Sequence, residues 1–128
     1  MSTYAMSKSL PGASFDEVLG RTKAALQEEG FGIPTEMDTQ AIFRAKLGKE
    51  TERRVILGAC LPEIALEALA IEPDLSVLLP CNVVVREIPG AVEVTAVNPR
   101  ALFTLTEHIN PVLASEVKAR LKAALVRI

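Results

Sequence analysis

The side chains best suited to chemistry in this chain are two cysteines, each next to a proline or one residue from it. Cys60 lies in Leu57-Gly58-Ala59-Cys60-Leu61-Pro62, and Cys81 in Leu78-Leu79-Pro80-Cys81-Asn82-Val83-Val84-Val85. A strand ending at Cys60 and a helix starting at Pro62 would set this thiol before a helix N-terminus. Free N–H groups and the dipole there favour an anion such as thiolate. Glu63, in the first turn, adds negative charge and opposes that effect. The bland account is that both cysteines are small buried hydrophobes, the commonest use of a free cysteine.

Other candidate groups carry less. The chain holds one histidine, His108, so a four-ligand zinc site would need carboxylates to complete it. Metal or haem ligation by Cys60 and Cys81 is an alternative, without the Cys-x-x-Cys spacing that would single it out. A Cys–His catalytic pair is permitted by composition and supported by nothing further. Glu28, Glu29, Glu36 and Asp38 fall at element ends, where solvation explains them. Arg53-Arg54 starts a strand and could meet an anion, although an exposed strand start is the better account of the pair. No phosphate loop, Walker motif, nucleophile elbow or zinc spacing is present. The candidate ligand-binding or reactive set is therefore Cys60, Pro62, Pro80, Cys81 and Asn82. No catalytic residue and no metal ligand is assigned, and the cofactor is left open.

The elements that must position this set follow from local signals. Tyr4 to Ser9 reads as a strand. Ser14-Phe15-Asp16-Glu17 has the form of a capping box before a helix with Phe15, Val18, Leu19, Ala25 and Leu26 on one stripe, stopped by Gly30. Phe31 to Met37 alternates as a strand, and Pro34 argues for an edge position. Asp38 caps a short helix that Gly48 ends. Arg53 to Cys60 is a strand and Pro62 to Ile71 a helix, with Pro62 at its first position. Leu75 to Leu79 and Asn82 to Ile88 read as a strand broken at Pro80. Pro89-Gly90 then turns it, with type II character, into Ala91 to Val97. Asn98-Pro99 starts a helix through Glu107, and Asn110-Pro111 starts the terminal one. The order is β-α-β-α-β-α-β-β-α, and the expected fold class is α+β. A single domain over 1–128 carries a mainly antiparallel or mixed sheet with helices mainly on one face.

Composition narrows the function classes. The 128 residues are 49% hydrophobic and 23% charged, with net charge −2 and interspersed signs. This is globular composition with no basic footprint for nucleic acid. The start, Met1 to Lys8, lacks a signal-peptide h-region, and no apolar run is long enough to span a bilayer. The expectation is a cytoplasmic protein with both thiols reduced.

The two Cys/Pro segments, together with Glu29-Gly30-Phe31-Gly32-Ile33, Lys46-Leu47-Gly48, Ala65-Leu66-Glu67-Ala68-Leu69, Glu72-Pro73-Asp74 and Asn98-Pro99, resemble the bacterial and archaeal "domain of unknown function 302" family over nearly the whole chain. The resemblance implies a compact α+β domain and a homodimer, and supplies no function. Leu61 departs from it, standing where a polar Asn is expected between cysteine and proline.

The leading expectation is a non-catalytic, small-ligand-binding homodimer with its site near the two Cys/Pro segments. Thiol redox or metal/haem ligation through Cys60 and Cys81 is the alternative, and a protein-interaction module without a pocket is the third. The dimer expectation also rests on apolar surface. Val83-Val84-Val85 points apolar groups to both faces of a sheet, and Ala91 to Val97 puts Val92 and Val94 on one side and Val97 on the other. One helix layer covers one face only. A second copy would bury the other face, unless the Asn98–Glu107 helix folds over it.

Overall fold

The computed structural model describes residues 2–128; Met1, part of the N-terminal stretch discussed above, lies outside the described residues. Five strands form one sheet: β1 (Ala5–Pro11), β2 (Gly32–Asp38), β3 (Arg54–Cys60), β4 (Cys81–Ile88) and β5 (Ala91–Val97). Their spatial order is β1-β5-β4-β3-β2, and every neighbouring pair is antiparallel. The helices are α1 (Phe15–Glu28), α2 (Thr39–Leu47), α3 (Pro62–Ile71), α4 (Pro99–Phe103) and α5 (Pro111–Arg127). The expected α+β class and element order hold.

Local chemistry accounts for most boundaries. Ser14 Oγ accepts from Glu17 N at 3.4 Å, Asp38 from Ala41 N at 3.0 Å, Asn98 from Arg100 N at 3.1 Å and Asn110 from Val112 N at 2.9 Å. Each satisfies an N–H that its helix leaves free. Gly48 ends α2 at φ 62°, a left-handed turn that a side chain resists. β1 and β2 are the edge strands, which is why Pro11 and Pro34 are tolerated in them. A register shift between Gly32 and Thr35 surrounds Pro34.

The core lies between the inner face of the sheet and α1 with α5. Val55, Leu57, Val83, Val85, Val92 and Val94 alternate onto it, and Val18, Leu26, Val117 and Leu121 meet them from the helices. At the β1 edge, Lys8 Nζ donates to the carbonyls of Leu125 at 3.0 Å, Val126 at 3.4 Å and Ile128 at 2.7 Å. It thus satisfies acceptors that the end of α5 would otherwise leave bare. Lys8→Met should cost about 2 kcal/mol in urea unfolding, because charged hydrogen bonds contribute more than neutral ones. A loss below about 0.5 kcal/mol would show that water replaces this cap without penalty.

Three expectations need correction. Leu75 to Leu79 is not strand: Pro73–Leu78 forms a 3₁₀ helix, with Leu75 N donating to Glu72 O at 3.0 Å and Leu79 N to Ser76 O at 3.4 Å. Strand alternation would set Leu75 and Val77 on one face, yet Leu75 is 1% exposed and Val77 84%. The Asn98 helix stops at Phe103 instead of Glu107. Thr104 and Thr106 hydroxyls take the carbonyls of Ala101 and Phe103, and the N–H groups of Glu107 and His108 turn to Glu72. Strand β1 runs on through Leu10 and Pro11, both paired with β5, where an end at Ser9 was expected.

Candidate functional site

The end of the sheet nearest α3 gathers both cysteines. Cys60 is the last residue of β3, half-buried, and Cys81 the first of β4, 5% exposed. Register places Ala59 opposite Cys81. Both cysteines are free thiols, and both line a single apolar cavity of about 30 Å³. Ala59 and the cysteines form its sheet wall, Phe31 and Val117 bound it, and Leu61, Ile64, Ala65, Ala68, Leu75 and Leu79 roof it. Its lining holds no charged side chain. That volume takes a water or two, far short of the 300–1,000 Å³ usual for a ligand pocket.

Pro62 occupies the first position of α3, whose Leu61 cap supplies no side-chain hydrogen bond. The Pro80 ring packs over Gly58: a Cβ built at Gly58 would lie 2.6 Å from Pro80 Cγ and still closer to Thr35 Oγ1. Asn82 is exposed and paired with Gly58 across β3 and β4, outside the cavity lining. The structure therefore brings Cys60 and Cys81 to one cavity, while Pro62, Pro80 and Asn82 do not line it: Pro62 starts the helix above it, Pro80 packs over Gly58, and Asn82 is exposed.

Burial pushes the Cys81 thiol up to about 11, and the nearby Cys60 adds to the shift. Cys81 is therefore a neutral thiol at pH 7. His108 is exposed in the α4–α5 connection and does not line the cavity. No group of three or more metal-ligating side chains comes together among the described residues. Four of the remaining candidates form ion pairs within the chain. Arg53 pairs with Asp16 at 2.9 Å and stacks over Phe15 at 4.1 Å, and Arg54 pairs with Glu52 at 3.1 Å. Glu36 meets Lys23 at 2.6 Å, and Glu29 meets Arg127 at 2.8 Å. One group escaped sequence reasoning: Glu72, whose Oε1 accepts from Glu107 N at 2.9 Å and His108 N at 2.7 Å. The only local sign of it was the Glu72-Pro73 helix stop.

The outer face of the sheet carries Ile56 and Val84, both half-buried, among polar groups. Arg86 bonds Glu93 at 2.9 Å, Glu93 accepts from Thr95 at 3.2 Å, and Thr95 meets Ser7 at 2.9 Å. Val97 packs against the buried core at the strand end, although alternation had set it opposite Val92 and Val94. Helix α4 packs on α5 and brings Phe103 to the cavity, so it does not fold over the outer face. No helix among the described residues is long and apolar enough to cross a membrane.

An antiparallel five-stranded sheet backed by two helices, with two thiols at an apolar sheet end, defines a small α+β domain. The chain belongs to the family described as domain of unknown function DUF302, whose model matches residues 6–128. A solved structure of an uncharacterized conserved DUF302 protein from Bacillus stearothermophilus has the same fold, with a TM-score of 0.87 at 24% identity over 98% of both chains. No curated protein matches the chain.

Proposed function

We propose that this domain is a non-catalytic, cytoplasmic small-ligand-binding module that acts as a homodimer, with its site at the cavity between the Cys60–Pro62 and Pro80–Asn82 segments. The observation that carries the reading is the shared apolar cavity touched by both cysteines. Thiol redox chemistry is the weaker reading, because a neutral, buried Cys81 is a poor nucleophile at physiological pH. Nucleic acid and membrane are not among the proposed partners.

The uncovered outer face of the sheet supports pairing with a second copy. Five strands of this length present a face of roughly 550 Å², about 1,100 Å² on pairing, the low end for a specific interface. The Arg86–Glu93–Thr95–Ser7 chain satisfies its own polar groups, which lowers the cost of covering that face.

Native mass spectrometry of freshly purified protein tests both halves. The expected spectrum shows a dimer that retains a small apolar adduct. Ala65→Val, which extends into the cavity, should remove the adduct without lowering stability. A lone species at the 13.8 kDa chain mass with nothing bound would count against both.

A further inference from the structure

The cavity is too small for most ligands as it stands, so attention falls on what covers it. Residues 61–80, comprising α3 and the 3₁₀ helix, form that cover and are held to the rest of the chain mainly by apolar contact. Among the described residues, their backbone hydrogen bonds are internal: Ala65 N to Leu61 O, Glu72 N to Ala68 O, Leu75 N to Glu72 O and Leu79 N to Ser76 O. The Ser76 hydroxyl also bonds within the segment, to Pro73 O at 2.8 Å. Glu63, Glu67 and Asp74 make no ion pair among the described residues. Among the described residues, the single polar tie to the rest of the chain is the Glu72 carboxylate, which accepts from Glu107 N and His108 N. The rest of the attachment is apolar: Leu61, Ala68 and Leu75 are buried, Ile64 packs against the core, and the Pro80 ring at the far end rests over Gly58, while Leu66 and Val77 stand 76% and 84% exposed. No strand ladder would break if this segment moved, since β3 ends at Cys60 and β4 begins at Cys81.

We propose that residues 61–80 are a lid that lifts as a unit, latched by Glu72, and that its opening admits an uncharged apolar ligand to the cavity beside Cys60 and Cys81. The inference rests on the reading that this cavity binds a ligand, and it adds the ligand class and the gate. Segments with few polar ties and little buried area open locally at lower free energy than the global unfolding that frees core strands. A ligand that needs the open form binds more weakly by the open fraction, so loosening the latch tightens binding. The lining explains the ligand class: it holds apolar side chains and two thiols, and no charged group.

The experiment follows alkylation of Cys81 by N-ethylmaleimide, read by peptide mass spectrometry in the full chain, with benzene as the apolar probe. Glu72→Ala should speed Cys81 labelling about tenfold, and Glu72→Gln, which keeps an acceptor oxygen, should restore much of the wild-type rate. Lys8→Met is the control, because its bonds to the end of α5 lie outside the lid and persist when the lid opens. It should leave the labelling rate unchanged while lowering global stability. Benzene, followed by NMR shift titration, should bind Glu72→Ala more tightly than wild type. Labelling that Lys8→Met accelerates as much as Glu72→Ala does would mean that Cys81 is reached only by global unfolding, and would overturn the lid. Benzene binding to neither protein, with the labelling contrast intact, would instead overturn the apolar-ligand reading and leave the lid standing.

Discussion

Gly58→Ala should cost this protein about 3 kcal/mol, the upper range for overpacking a close-packed interior. Gly58 lies in β3, between Thr35 of β2 and Asn82 of β4. Its φ is not positive, so the backbone would accept alanine; space is what is missing. The new methyl would sit 2.6 Å from Pro80 Cγ and collide with Thr35 Oγ1. The Thr35 side chain is able to rotate away, but the proline ring is rigid and its chain leads directly into Cys81. Relief must therefore come from moving the Pro80–Cys81 segment, which distorts the cavity wall as well as lowering stability. Urea unfolding should show a lower midpoint at unchanged slope. Adding Thr35→Ala should recover only part of the loss. A penalty below about 1 kcal/mol would mean that Pro80 is not held against β3, and the account of the sheet end would fail with it.

Raising the pH above 9 should destabilise the protein through Cys81. Burial, with a contribution from Cys60, moves this thiol from its ordinary 9.0 to about 11 in the folded state. Between those values the unfolded chain releases a proton that the folded chain keeps, so stability falls as pH rises. The contribution is present in full below pH 9 and is lost towards pH 11, on the order of 2–3 kcal/mol for a shift of this size. Cys81→Ala removes the group and with it this part of the pH dependence. Its stability deficit relative to wild type, measured in urea, should shrink steadily between pH 9 and 11. A deficit that stays constant across that range would show that Cys81 ionises in the folded protein as easily as in the unfolded one, and so is not buried as described.

The sequence by itself determined the elements whose cause is local. Ser14, Asp38, Asn98 and Asn110 cap helices through bonds that reach two or three residues along the chain. Gly48 and Gly90 stop or turn the chain because left-handed φ is cheap only for glycine. Alternation in β5 set Val92 and Val94 on one face, since burial on one face repeats every second residue, whereas the Val83-Val84-Val85 run read as apolar on both faces and only packing turned Val83 and Val85 inward. These signals were enough for the α+β class and the element order. They failed at Leu75–Leu79, where the apolar run suited a strand and only contact with the sheet end decided that Leu75 goes in and Val77 out. Tertiary structure alone decided the β1-β5-β4-β3-β2 order, which carries the first strand to the edge beside the fifth. It also decided that Cys60 and Cys81, set apart along the chain by a helix and a 3₁₀ turn, border one cavity. The same holds for Glu72, which reaches backbone N–H groups 35 and 36 residues away. Capping and turn preferences act over a few residues and leave a mark in the sequence. Burial and long-range hydrogen bonds depend on which segments the closed sheet brings together, and so exist only in the folded chain.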